Sequence, residues 1–394
     1  MHVAMINSFY HPATIGGAER SVQILAESMI ERNHRVSILC TAQDGLHRKA
    51  SINGVDVFYR PNANVYNWTG LDGFQAPCLL KPLWHLIDSW NIATYLKTKE
   101  WLRATKPELL HTNNLSGFSV AAWSAASSLG IPVVHTIRDY YLTCINAQRW
   151  SCNAPCKNTC GVCNFYAIPR KVASQKLSAV VGISHHVLDS HLAMNYFSRV
   201  GKSCVIGNSV VTPVSQEKSH KHQSRLVVGY VGRLEPAKGV ELLLREFSRL
   251  PSDRFELHLY GSGKTDYTSK LKETYATEHI HFQGHRPASD IYPALDLTVV
   301  PSLWDEPFGR VIIESFSHGI PVLASNRGGL DELVATGKTG FVFDPTRDGA
   351  LAECLLKMTP QGCRTYQTAC LVEAARFSEA AISFKYEELY SEVL

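Results

Sequence analysis

The sequence predicts an α/β protein made of two doubly wound domains, each with a parallel sheet, and three observations carry that reading. Strand-like and helix-like segments alternate along nearly all of its 394 residues. The alternation starts again at Leu226, with a second apolar first strand. Between the halves, Thr212–Ser224 is a polar stretch rich in Lys, His and Ser that reads as a linker.

Taken in order, His2–Asn7 is a short apolar run leading to a Gly-Gly turn. Val22, Leu25, Ala26, Met29 and Ile30 then recur at helical spacing. Arg35–Cys40, Glu108–Asn113, Ile131–Ile137 and Ala179–Ser184 read as strands, with a helix over Ser116–Leu129. In the second half, Leu226–Gly232 precedes a helix whose Val240, Leu243, Leu244 and Phe247 share one face. Phe255–Gly261, Ile280–Gly284, Leu297–Ser302, Ile320–Asn326 and Gly340–Asp344 continue the strands. The expected boundaries are 1–207 for the first domain, 208–375 for the second, and 376–394 for a terminal helix returning to the first. The two sheets are expected to face a central cleft with the carboxyl ends of their strands, where open parallel sheets bind ligands.

A hydrophobic share of 45% and a charged share of 19% are those of a folded globular chain and exclude disorder. The first 200 residues carry 18 Lys/Arg against 11 Asp/Glu, and the remainder carry 21 against 24. The basic half either meets an anionic lipid surface or a phosphorylated acceptor, or simply solvates that half. No nucleic-acid motif accompanies the charge, so nucleic acid is not an expected partner. Residues 109–137 hold no Asp, Glu, Lys or Arg. Asn113, Asn114, Gly130 and Pro132 nevertheless divide them into a helix and a strand, not a membrane span. The N-terminus reads as a first strand and not as a signal peptide. The expected location is the cytoplasm, free or resting on the inner face of the membrane.

The segment Pro301-Ser-Leu-Trp-Asp-Glu-Pro-Phe-Gly-Arg-Val-Ile-Ile-Glu314 is the most informative. A strand ends at Ser302, a loop carries Glu306, and a helix opens near Gly309 with Glu314 inside it. Glu306 is therefore expected beside free backbone N–H groups at a helix start, a place for phosphate or sugar oxygens. Two arbitrary glutamates would more often be a cap and a surface acid. The Pro-Phe-Gly loop, His318-Gly-Ile-Pro-Val and Gly328-Gly-Leu-Asp-Glu332 favour a site.

These residues resemble the E-x7-E signature of retaining GT-B glycosyltransferases, glycosyltransferase family 4 in particular. Gly232-Arg233-Leu-Glu-Pro-Ala-Lys238-Gly239, Leu259-Tyr-Gly261-Ser-Gly263 and Gly16-Gly17-Ala-Glu19 are similar to further segments of that family, whereas residues 45–105 match weakly. The resemblance implies transfer of a sugar from a UDP- or GDP-sugar to a glycan or polyprenyl-lipid-linked acceptor, in cell-envelope polysaccharide or lipopolysaccharide assembly. It assigns Glu306 to the donor sugar hydroxyls, Glu314 to the ribose, and the backbone amides of Phe308 and Gly309 to sugar or phosphate oxygens. Gly16 and Gly17 would let the backbone approach the diphosphate, and Gly261 and Gly263 would lie near the base. His135, in His-Thr-Ile-Arg-Asp, closes the strand Ile131–Ile137 and resembles the family's histidine near the reacting centre. His111 is its competitor, and Arg138 and Asp139 are acceptor-side candidates.

The family also implies retention by a same-face displacement, with the leaving diphosphate taking the acceptor proton. An expelled diphosphate needs positive charge beside it. The sequence has no D-x-D triplet, so no catalytic metal is expected. Arg233 and Lys238, just after a strand and near a helix start, supply the charge instead. A sugar-nucleotide epimerase, or another non-transferase enzyme on the same fold, is the alternative.

Cys144, Cys152, Cys156, Cys160 and Cys163 crowd residues 144–163 of the first domain. Cys156-x3-Cys160-x2-Cys163 has the spacing of the iron–sulfur motif of radical enzymes, but it interrupts a doubly wound domain instead of opening a barrel. Cys152, Cys156, Cys160 and Cys163 form a chemically reasonable four-thiolate structural site, for zinc first and an iron–sulfur cluster second. Free or exchanging thiols are the other reading. A metal there would order an acceptor-side loop and take no part in bond cleavage.

Overall fold

The computed structural model describes residues 1–13, 16–67, 77–211 and 225–394. The linker expected at 212–224 lies outside the described residues. The chain divides into two compact units. One takes Met1–Arg149, Cys156–Ser209 and Glu379–Leu394; the other takes Trp150–Pro155 and Val210–Ser378.

In chain order the first strands are β1 (His2–Ile6), β2 (Arg35–Thr41), β3 (Arg48–Ile52), β4 (Val55–Arg60), β5 (Leu109–Thr112) and β6 (Val133–Ile137). A short hairpin, β7 (Trp150–Ser151) and β8 (Ala154–Pro155), comes before β9 (Ala179–Gly182) and β10 (Lys202–Val205). The helices over the same stretch are α1 (Gly17–Glu31), α2 (Lys81–Ser89), α3 (Ile92–Thr105), α4 (Ala121–Ser127), α5 (Gly161–Ala173) and α6 (His185–Leu192).

The first unit's sheet runs β10-β9-β6-β5-β1-β2-β4-β3, and every pair except β3–β4 is parallel. Strands β1, β5, β6 and β9 are buried from end to end, which is why they read as near-continuous apolar runs. Helix α1 buries Val22, Leu25, Ala26 and Met29 against this sheet's side of the unit. Its start is fixed by a capping box in which the Glu19 carboxylate accepts the Gly16 N–H at 2.9 Å.

Residues 45–105, where the sequence offers no clear element, contain β3, β4, α2 and α3. A signal was present in Asn53 (φ 49°) and Gly54 (φ 82°), the two left-handed residues that a two-residue hairpin turn requires. The helix expected over Ser116–Leu129 is shorter. Gly117 (φ 85°) and Ser119 (φ 57°) are left-handed, so the right-handed helix starts only at Ala121.

The second unit adds β11 (Leu226–Val231), β12 (Phe255–Tyr260), β13 (Ile280–Gly284), β14 (Leu297–Val300), β15 (Val322–Ser325) and β16 (Gly340–Phe343). Its helices are α7 (Val240–Phe247), α8 (Thr265–Tyr275), α9 (Ala288–Ile291), α10 (Arg310–Ser317), α11 (Ala350–Leu356), α12 (Pro360–Thr365) and α13 (Gln367–Ala375). The sheet is all-parallel in the order β13-β12-β11-β14-β15-β16, a Rossmann-like arrangement whose strand order reverses between β11 and β14. Helix α7 seals it with Val240, Leu243, Leu244 and Phe247, all at 0% exposure. Each contributes roughly 1.5–3 kcal/mol of burial.

The last helix, α14 (Glu379–Val393), belongs to the first unit. There the Tyr386 and Tyr390 hydroxyls bond Thr136 at 3.0 Å and His111 at 2.7 Å. Among the described residues, no helix is long and apolar enough to cross a membrane.

Candidate functional site

The reversal point between β11 and β14 is where an open parallel sheet leaves a crevice beyond its strand ends. Two loops converge there. The one after β11 carries Arg233 and a short 3-10 turn, Pro236–Lys238; the one after β14 carries Ser302, Trp304 and Glu306. The Leu303 and Trp304 N–H groups donate to the Ala237 carbonyl at 2.8 and 3.2 Å, locking one loop to the other. Gly239 (φ 70°) makes this possible, since a Cβ there would sit 1.8 Å from the Pro301 carbonyl oxygen.

The result is a close ion pair. Lys238 Nζ lies 2.5 Å from Glu306 Oε1, and the Ser302 hydroxyl donates to the same oxygen at 2.7 Å. The two side chains are only 20% and 11% exposed, and the ammonium also stands 5.0 Å from the Trp304 ring centre. Burial pushes the Glu306 carboxyl up. The Lys238 charge and hydrogen bond, with Ser302 and Trp304, outweigh it and hold the carboxyl below the ordinary glutamate value. Glu306 is thus an anion in place, and its backbone carbonyl accepts the Gly329 N–H at 2.7 Å.

Helix α10 starts at Gly309 (φ 104°), with no side-chain cap on its first turn among the described residues. Its N-terminal amides are those of a helix end that can receive an anion. Glu314, inside α10, is fixed from both sides: Arg310 Nε donates to one oxygen at 2.7 Å and the Tyr292 hydroxyl to the other at 2.8 Å. Arg233 is 59% exposed and pairs with Glu235 at 3.0 Å. Tyr292, Ser302, Trp304 and Arg310 have no role assigned from the sequence. The last three stand beside the glutamates within residues 301–314, whereas only the fold brings Tyr292 to Glu314.

Several expected site residues also have structural duties. Gly261 and Gly263 have a backbone reason of their own, because Cβ atoms there would lie 1.9 Å from the Gly232 oxygen and 2.0 Å from the Leu234 oxygen. Their small size lets the loops after β11 and β12 run side by side. Phe308 is buried, and its ring packs edge-on against Phe377 at 5.8 Å, leaving its amide as the group with chemistry to offer.

In the first unit, Gly16 and Gly17 do sit at the carboxyl end of β1, opening α1. His135 does not close its strand. It is the middle residue of β6, with its ring against Trp123 at 4.9 Å and Phe197 at 6.4 Å and its Nδ1 3.0 Å from the Thr112 hydroxyl. Burial, with His191 nearby, lowers it to about 3, so the ring is neutral. His111 is equally enclosed: Nε2 bonds Thr136 at 2.8 Å and Nδ1 bonds Tyr390 at 2.7 Å. Both ring nitrogens are therefore used inside the fold. Arg138 and Asp139 lie just past β6, with Arg138 buried. Arg138 is held by the Asn113 and Asn208 side chains at 2.8 and 2.5 Å. Burial, with a lesser contribution from Glu19, raises Asp139 to about 6.

The expected four-thiolate site is not assembled. Among the described residues, which include Cys152, Cys156, Cys160 and Cys163, no three of these sulfurs lie within 4.8 Å of one another. Cys152 occupies the β7–β8 turn, Cys160 is spent capping α5, where it accepts the Cys163 N–H at 3.5 Å, and Cys163 is turned into the core.

Two Rossmann-like sheets, the second with a buried cation–carboxylate pair at its reversal point, are the architecture expected of a GT-B glycosyltransferase. Comparison with known proteins agrees. Residues 15–212 match the family described as Glycosyltransferase Family 4, and residues 212–366 match Glycosyl transferases group 1. An uncharacterized 42.6 kDa protein in the cps region of Klebsiella pneumoniae is 33% identical over 334 residues, 84% of this chain and 87% of that protein. The chain belongs to glycosyltransferase family 4. Its fold is also similar to that of sucrose-phosphate synthase from Thermosynechococcus elongatus (TM-score 0.76, 20% identity, covering 100% of this chain and 98% of the other). Anabaena HepE in complex with UDP and glucose is a second structural neighbour (TM-score 0.69, 21% identity, full coverage of both chains).

Proposed function

We propose that this glycosyltransferase moves a sugar, with retention, from a UDP- or GDP-sugar to a glycan or polyprenyl-lipid-linked acceptor in cell-envelope polysaccharide assembly. The observation that carries the reading is the Lys238–Glu306 pair beside the uncapped start of α10. An ammonium has three donors, and Glu306 takes one, so Lys238 retains donors for a diphosphate oxygen. Glu306 keeps its second oxygen for sugar hydroxyls, Arg233 adds charge at the rim, and Glu314 is steadied for the ribose.

In the reaction the acceptor oxygen bonds the anomeric carbon as the bond to the diphosphate oxygen breaks. The proton passes to the departing phosphate on the same face. Lys238, Arg233 and the α10 amides meet the charge that develops there. With protein cations in that role, EDTA is expected to leave the rate unchanged. The UDP held by HepE supports a nucleotide donor.

A lipid-linked acceptor is supported by the first unit's surface. Helix α5 exposes Val162, Phe165, Ile168 and Val172 at helical spacing, each 57–65% exposed. Beside them is a groove of about 880 Å³ to which Arg149, Lys157 and Lys171 bring positive charge. Apolar side chains next to cations suit a lipid phosphate at an anionic bilayer.

The test is a thermal-shift panel of sugar nucleotides followed by release of nucleoside diphosphate with candidate acceptors. Conversion of the donor with no acceptor present would favour the epimerase instead. Unchanged turnover in both Glu306→Ala and Lys238→Ala would sink the site.

A further inference from the structure

The open edge of the second unit's sheet carries a group of side chains that sugar transfer does not use. Alternation along β12 puts Glu256 and His258 on one face, and the parallel register sets His281 of the edge strand β13 directly beside His258. Glu256 Oε1 lies 2.7 Å from His258 Nε2 and 3.4 Å from His281 Nε2. The two imidazoles stand nearly perpendicular, 87° apart with centres 5.2 Å from each other. One ligand atom from each of the three residues falls within 4.8 Å of the other two.

Two features go beyond a chance hydrogen-bonded trio. Both imidazole nitrogens converge on a single carboxylate oxygen, although a purely hydrogen-bonding cluster is free to use both oxygens. The far nitrogen of His258, Nδ1, also meets the Tyr260 hydroxyl at 3.2 Å. Such an outer partner commonly fixes the ring of a metal-binding histidine. The three side chains are 28%, 16% and 36% exposed, so the point where they converge is open to solvent on one side.

We propose that Glu256, His258 and His281 bind a first-row divalent cation, zinc foremost, with water completing the coordination. Two neutral imidazoles and one carboxylate form a donor set suited to zinc, nickel or copper and poorly suited to magnesium or calcium. The ion ties the edge strand β13 to β12. It lies outside the transfer machinery, so removing it with EDTA leaves turnover intact while lowering the melting temperature.

The test uses the whole protein with accessible cysteines blocked by N-ethylmaleimide, titrated with zinc ion alone. The wild type is expected to take up one equivalent and melt at a higher temperature as zinc is added. His281→Asn, on a half-exposed edge position, should retain its zinc-free melting temperature and circular dichroism spectrum. It should lose more than about tenfold in zinc affinity, a scale that even outer-shell partners reach. Glu256→Gln should weaken binding in the same direction while keeping the hydrogen-bonding shape. Equal zinc affinity in the wild type and both variants overturns the proposal. So does an anomalous-scattering map of zinc-soaked crystals with no peak between these three residues.

Discussion

The two units surround their polar residues in opposite ways. In the second unit, the charges of Lys238 and Glu306 meet each other and still have donors and acceptors to spare. In the first unit, three buried histidines lie among packed rings. His111 is bonded through both nitrogens, His135 is bonded to Thr112 through Nδ1 with its ring against Trp123, and His191 Nδ1 donates to the Val187 carbonyl of its own helix while the ring lies flat on Tyr140. A residue type suited to catalysis therefore says little until its valences are counted. His111, with both ring nitrogens bonded, has none left for a substrate, whereas the Lys238 ammonium has.

The largest expected effect strikes the paired charges. Lys238→Met should cut kcat/KM by at least about a hundredfold, the scale seen when one preorganised charge-stabilising donor is removed. It also strands a buried carboxylate, at a cost of about 3 kcal/mol. Adding Glu306→Gln should restore most of that stability and none of the activity. Denaturant unfolding of the two variants measures this, and equal midpoints would mean that the pair is not a buried, coupled one.

Next in size is a change on the other side of the comparison. His111→Leu leaves the Tyr390 hydroxyl without its partner and Thr136 with Tyr386 alone, and should cost about 2 kcal/mol. Turnover per folded molecule should stay as it was, because the ring has no free valence to offer a substrate. A stable His111→Leu protein that has lost its activity would break the contrast drawn between the units.

Acid should separate the units further. Burial places His135 at about 3 and His191 at about 4, and it lowers His111 as well, against 6.5 for the free side chain. Each holds fewer protons folded than unfolded. Their stabilising effect is complete above pH 6.5 and is lost as pH falls toward the folded values, by about 1.4 kcal/mol per pH unit for each ring. Asp88 and Asp139, raised to about 6 by burial, act in the reverse direction between pH 6 and 4 and offset part of the loss. Glu306, lowered by Lys238, gives way only below the ordinary glutamate range. Hydrogen exchange should show protection falling in β6 between pH 6.5 and 5 while β11 holds.

These contrasts mark what could be read without a structure. The parallel sheets were legible because strands covered on both faces must be apolar throughout, and α7 because Val240, Leu243, Leu244 and Phe247 keep one face. Glu306 and Lys238 were legible because they follow strands within short glycine-bearing segments. The hairpin at Asn53-Gly54 has its signal in that pair of residues, which favour left-handed backbone. The surroundings of His135 were not legible, since the ring that lies beside a His at a β position depends on the helix covering that face, here Trp123 of α4. The cysteine spacing likewise invited a metal, but the start of α5 claims Cys160 as a cap and the core claims Cys163.

The smallest effect sharpens the comparison most cheaply. Ser302 contributes one of the hydrogen bonds on Glu306 Oε1, at 2.7 Å, and its own carbonyl accepts the Ser325 hydroxyl at 2.7 Å, so the loop survives loss of the side-chain oxygen. Ser302→Ala should cost about 1 kcal/mol, the net worth of one ordinary hydrogen bond. With one acceptor contact fewer, the carboxylate is less favoured and its pKa moves up, which carries the acid limb of the activity profile to higher pH. A site residue should show that displaced limb together with its modest stability loss. A residue whose valences are filled inside the fold, as those of His111 are, should show the stability loss with the profile where it was.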